Sequence, residues 1–75
     1  MLMKYTVVLE KGRESGFVAH VPTLRGCTSQ GESREETISN IKEAIETYIE
    51  VLIEDGLPVP TEEGRETVEV QVDTR

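Results

Sequence analysis

Residues His20–Ser33, "HVPTLRGCTSQGES", decide the fold, because apolar residues alternate with period two before this stretch and recur at helical spacing after it. It holds the chain's one histidine and one cysteine, together with Pro22, Gly26 and Gly31. Such a stretch can be an active-site loop, with Cys27 as nucleophile and His20 as base, or the bend through which a sheet becomes a helix. A nucleophilic thiol needs a base within hydrogen-bond reach and a group that orients that base. Nothing in the sequence marks an orienting carboxylate, an oxyanion donor set or a substrate cleft. As a bend, every residue is accounted for: Pro22 has no N–H to give a ladder, Gly26 and Gly31 permit unusual backbone angles, Cys27 packs as a small hydrophobe, and Ser33 caps a helix. The stretch is punctuation, and the expected protein is not an enzyme.

Towards the N-terminus, Met3–Glu10 alternates Tyr5, Val7 and Leu9 against Lys4, Thr6, Val8 and Glu10, which predicts a first strand. Lys11–Gly16 is turn chemistry, and Phe17, Ala19 and Val21 share one face of a second strand; Cys27–Gln30 is a short third. Towards the C-terminus, "SREE" sets a capping box in which Ser33 accepts from the Glu36 N–H and the Glu36 carboxylate reaches back to the Ser33 N–H. Ile38, Ile41, Ile45, Tyr48 and Leu52, widened by Ala44 and Ile49, give one apolar face, and Gly56 supplies the stop. A helix of about 22 residues would be roughly 33 Å long. A proline-bearing connector, Leu57–Glu66, then leads to "TVEVQV", Thr67–Val72, a fourth strand with Val68, Val70 and Val72 on one face.

The expected order is β-β-β-α-β, an α+β two-layer domain over residues 1–75 with its helix on one face. The right-handed crossover rule sets strand four beside strand one, giving sheet order 3-2-1-4. The face away from the helix would carry Lys4, Thr6, Val8, Val18 and His20, too apolar to be wholly solvated. Self-association is expected through Thr6, Val8, Val18 and His20 or through an edge strand; the sequence does not choose.

Seventy-five residues give a thin core, so a homo-oligomer, dimer or tetramer, is expected. Fifteen acids against eight bases leave a net charge of −7, which opposes direct binding to a phosphate backbone. Tyr5, Phe17 and Tyr48 fall on separate elements and build no base-stacking platform. An acidic chain instead suits a basic protein partner. One cysteine and one histidine make no zinc site, the acids lack calcium-loop spacing, and no cofactor motif is present. The N-terminus has neither a basic leader nor a long apolar run, so a cytoplasmic protein without membrane contact is expected. Along the helix, Glu43, Glu46, Glu50 and Glu54 recur three or four apart, an acidic stripe relieved only by Lys42 at its edge. It is either a solvated face or a docking face for basic residues. Glu54 and Asp55 sit at the negative end of the helix dipole, where acids are mildly unfavourable.

From Gly16 to Glu50, "GFVAHVPTLRGCTSQGESREETISNIKEAIETYIE" resembles the core of the HicB-type antitoxin family: an aromatic after a turn glycine, then "VP", "GC", "QG", an acid, a hydroxyl cap and an amphipathic helix. The flanking "YTVVLEK" and "LPVPTEE" extend the match over residues 4–63. Arg25 stands where the family commonly has proline, and Thr37 where it has alanine. The resemblance implies a truncated ribonuclease-H-like fold without catalytic acids. It also implies a non-enzymatic antitoxin that binds and occludes a small basic ribonuclease toxin of HicA type, itself shaped like a double-stranded-RNA-binding domain. Many members carry a separate C-terminal DNA-binding module, and none is expected within residues 1–75. The alternatives are an orphan oligomeric module of the same fold that binds a small ligand or another protein, and a thiol enzyme using Cys27.

Overall fold

The computed structural model describes residues 2–74. Three short strands, β1 (Val8–Lys11), β2 (Phe17–His20) and β3 (Thr28–Gly31), form an antiparallel sheet in the order β1-β2-β3, and one helix, α1 (Arg34–Glu54), covers one face. Val8 stands opposite His20 and Lys11 opposite Phe17, while Phe17 also faces Gly31 and His20 faces Thr28. β1 is shorter than the alternation of Met3–Glu10 predicts because its partner ends: beyond His20 comes Pro22, which cannot extend the ladder. Residues 2–7 therefore continue past β2 without strand pairing, yet keep the alternation, with Tyr5 and Val7 half-buried and Lys4 and Thr6 exposed.

Between β2 and β3 the backbone turns twice on itself. The Val21 N–H donates to Cys27 O at 3.1 Å, Leu24 to Val21 O at 3.0 Å and Cys27 to Leu24 O at 3.0 Å. This folds Leu24 inward, where it is fully buried with Ala19, Val21, Cys27 and Ile41, and Tyr5, Val7, Leu9, Ala44, Ile45 and Tyr48 pack around them. Two polar contacts fix α1, one on the sheet and one on the loop: Asn40 Nδ2 donates to Gln30 O at 2.8 Å, and the Tyr48 hydroxyl to Arg25 O at 2.8 Å.

Ser33 caps α1 as expected, its Oγ accepting from the Glu36 N–H at 3.0 Å. The return contact lands one residue earlier than the capping box predicts: Glu36 Oε1 accepts from the Glu32 N–H at 2.6 Å. Thr37 fits the core because its hydroxyl donates to Ser33 O at 2.7 Å, which lets a polar side chain be completely buried. At the other end Gly56 adopts φ +69° and donates to Ile53 O at 3.1 Å.

The fourth strand is the correction. Among the described residues, 67–72 form no strand and pair with nothing, so neither the sheet order 3-2-1-4 nor a ribonuclease-H-like sheet is completed within the chain. The α+β class and the single helix layer stand. The physical cause lies in the connector. Glu62 and Arg65 tie it to Thr6 and Thr23, and only Glu66 separates that anchor from Thr67. The radius of gyration, 14.6 Å, exceeds the roughly 11 Å of a compact chain of this length, as a projecting C-terminal arm requires.

Candidate functional site

The helix presents three faces rather than two. Thr37, Ile41, Ala44 and Tyr48 meet the sheet and the Val21–Cys27 loop. Glu43, Glu46, Glu50 and Glu54 all lie exposed, so the stripe read from spacing exists as a continuous acidic surface along α1. Between them runs a third face, Ile45, Ile49 and Ile53, the first two of which the sequence assigns to the core stripe; they overhang an open groove of about 760 Å³. Leu2, Met3, Tyr5 and Val7 form its other wall. The groove exists because α1 rests on β3 and β2 and leaves the flank of β1 uncovered. Glu46 and Glu50 reach its rim, where Lys42 also sits, so the acidic stripe and the groove share a border.

The connector supplies a polar cluster that local sequence pattern does not reveal. The Glu62 carboxylate accepts from the Thr6 N–H at 2.5 Å, from the Thr6 hydroxyl at 2.7 Å and from the Thr23 hydroxyl at 3.2 Å. Arg65 Nη1 donates to Thr23 Oγ1 at 2.6 Å, and the Tyr5 hydroxyl to Pro60 O at 2.6 Å. The backbone N–H and then the hydroxyl of Thr6 hold the Glu62 carboxyl below the usual carboxylate range. Burial, and then the Glu62 charge, push the Tyr5 phenol up.

Cys27 and His20 are not brought together. Cys27 is 4% exposed within the core, and burial pushes its thiol pKa up, opposite to the shift that activates a nucleophile. His20 alternates with the fully buried Ala19 and so faces away from α1, beside Val8 and Thr28. The surface named for self-association is brought together in part. Val8 pairs directly with His20, and Val18 lies on the same face between Glu10 and Gln30. Thr6 is already taken by Glu62. That face is mixed in polarity, and the groove is the more apolar surface. Among the described residues no group of three or more His, Cys, Asp or Glu is placed to hold a metal ion, and no helix is long and apolar enough to cross a membrane.

The exposed features of this two-layer α+β module are an acidic helix face and an uncovered apolar groove. The chain belongs to the family described as HicB_like antitoxin of bacterial toxin-antitoxin system, whose profile matches residues 5–74. It is 53% identical over 62 residues to a UPF0150 protein of Synechocystis sp., covering 83% of this chain and 78% of that one. To a UPF0150 protein of Thermoplasma acidophilum it is 42% identical over 64 residues, 85% of this chain and 93% of the relative. It is also similar to Antitoxin HicB 1 of Photorhabdus laumondii, 33% identical over 70 residues, which make up 91% of this chain but only 45% of that protein.

Proposed function

We propose that this chain is the antitoxin of a toxin–antitoxin pair and acts in the cytoplasm, as a homo-oligomer, by binding and occluding a small basic ribonuclease toxin of HicA type. The family assignment over residues 5–74 carries this conclusion. The net charge of −7 and the exposed run Glu43, Glu46, Glu50 and Glu54 supply what the task needs, a negative surface that draws in a basic partner and orients it. Occlusion asks for no reacting group, consistent with the burial of Cys27. The same charge opposes binding of this polypeptide to nucleic acid on its own.

The test is co-expression with the adjacent reading frame. The expected result is a short basic product that copurifies with this chain, arrests growth when expressed alone, and ceases to degrade RNA when the two are mixed. A neighbour that is not toxic, or that keeps its ribonuclease activity in the presence of a molar excess of this chain, removes the proposal.

A further inference from the structure

Two incomplete surfaces face solvent on the same chain. One is the groove beside β1, with Leu2, Met3, Tyr5 and Val7 of the unpaired N-terminal segment along one wall and Ile45, Ile49 and Ile53 along the other. The other is the arm Thr67–Val72, which alternates valine with polar residues as a half-buried strand does, yet leaves Val68 64%, Val70 76% and Val72 72% exposed. An alternating strand lacking both a ladder partner and a covered face is incomplete, and so is a sheet flank that ends in a hydrophobic groove.

The two match in size and charge. Val68 to Val72 spans about 13 Å of strand, and Ile45 to Ile53 about 12 Å of helix. With the valines turned into the groove, Glu69 and Gln71 fall on the opposite side of the pleat, the side on which residues 2–7 carry Lys4. The arm therefore brings a carboxylate to the lysine edge and keeps it away from Glu46 and Glu50 on the helix side of the groove. At roughly 60–100 Å² of apolar surface per exposed aliphatic side chain, the valines with Leu2, Met3, Ile38 and Ile53 would bury about 420–700 Å² per copy, which reaches the apolar share of a stable half-interface of about 800 Å².

The arm does not reach its own groove. Glu62 grips the chain through Thr6, whose side chain alternates away from Tyr5 and Val7, and Arg65 holds Thr23. With the connector held at Tyr5, Thr6 and Thr23, residue 66 alone, about 3.3 Å of chain, is the slack between the latch and Thr67, and none of residues 67–72 lines the groove. We propose that residues Thr67–Val72 of one copy lie beside residues 2–9 of a second copy as its fourth strand, with Val68, Val70 and Val72 in the groove under Ile45, Ile49 and Ile53, and that the exchange is reciprocal. A two-fold arrangement completes both sheets at once and leaves no arm over. The strand order 3-2-1-4 is then a property of the pair.

The experiment takes the full-length chain in solution. Light scattering after size exclusion is expected to give twice the 8.4 kDa chain mass. Val68→Glu, Val70→Glu and Val72→Glu combined alter only side chains that are exposed within one copy, so the variant is expected to keep its helical circular dichroism and run as a monomer. Lys4→Cys copies mixed with Glu69→Cys copies are expected to form an inter-chain disulfide on oxidation. A wild-type monomer at the highest attainable concentration overturns the proposal, as does an assembly untouched by the three valine substitutions. So does a Lys4→Cys, Glu69→Cys double variant that closes its disulfide within one chain. None of these results depends on whether a toxin is bound.

Discussion

Gly31 is the residue on which the join between sheet and helix turns. A Cβ there would stand 2.8 Å from Thr37 Oγ1, 2.9 Å from Glu36 Oε1 and 2.9 Å from the Thr37 nitrogen, all parts of the helix cap. Two of these cannot yield easily, since Thr37 is fully buried and its nitrogen donates to Ser33 O at 3.0 Å. Gly31→Ala is therefore expected to lower unfolding free energy by about 1–3 kcal/mol through overpacking. Gly56 needs its glycine for a different reason: φ is +69° with open space where a Cβ would go. Gly56→Ala should cost only the left-handed backbone penalty, about 1–2 kcal/mol. Paired urea melts separate the two by adding Thr37→Ala to each. The smaller side chain relieves Gly31→Ala and leaves Gly56→Ala unchanged. If Thr37→Ala fails to rescue any of the loss, the Thr37 hydroxyl is not the contact that Gly31 accommodates. Cys27 gives a second measurement at this scale. Its raised thiol pKa and burial predict labelling by a thiol reagent that is slow in the native protein and many-fold faster in denaturant.

At the scale of elements, the connector behaves as a latch whose strength depends on pH. The Glu62 carboxyl is held below its ordinary value of 4.5 because its charged form accepts from Thr6 and Thr23. A lowered folded-state pKa means that the contribution is complete above the unfolded value and disappears as pH falls through the folded one. Residues 57–65 are thus expected to stay docked at neutral pH and to loosen below about pH 4.5, before α1, whose hold on β2 and β3 is mainly apolar. The Thr6 amide resonance, followed by nuclear magnetic resonance as a function of pH, reports this directly. In wild type it should titrate with a midpoint under 4.5, and in Glu62→Gln that transition should vanish; an identical titration in the variant would assign the latch elsewhere. Elements differ in how far they could be read from sequence. The hairpin and helix were legible because their determinants are local: the Lys11–Gly16 turn, the Ser33 cap and the Gly56 stop lie within a few residues of what they control. The latch was not, because Glu62 meets Thr6 across 56 positions and looks like any acid in a polar connector. Leu24 is illegible for a different reason: its determinants are local, but its burial follows from backbone bonds within the Val21–Cys27 loop, which leave no periodic pattern.

For the whole molecule, the acidic helix face and the groove are neighbours with separate tasks, and substitutions can take them apart. The stripe was legible because spacing of three and four on a capped helix fixes a face. The groove was not, since Ile45 and Ile49 read as part of one core stripe until the position of α1 over β3 and β2 is known. Strand four shows the remaining limit: alternation in Thr67–Val72 is visible in the sequence, whereas the chain that pairs with it is not. Recognition of a basic toxin through exposed carboxylates has a definite signature in salt. The Debye length falls from about 10 Å at 0.1 M to about 3 Å at 1 M, so the association rate should drop steeply over that range while the dissociation rate changes little. Glu43 and Glu54 do not line the groove, and replacing both by Gln removes charge from the stripe without touching the wall that would receive the arm. At about 0.2–1 kcal/mol for each exposed ion pair lost, Glu43→Gln with Glu54→Gln should weaken toxin binding by roughly 2- to 30-fold, flatten its salt dependence and leave the self-association mass unaltered. The combined valine substitutions should act in reverse, abolishing assembly while toxin association stays salt-sensitive. Toxin affinity that is indifferent to both salt and the loss of these two carboxylates would place recognition on another face, with the outer surface of the sheet around Val8, Val18 and His20 the next to be tested.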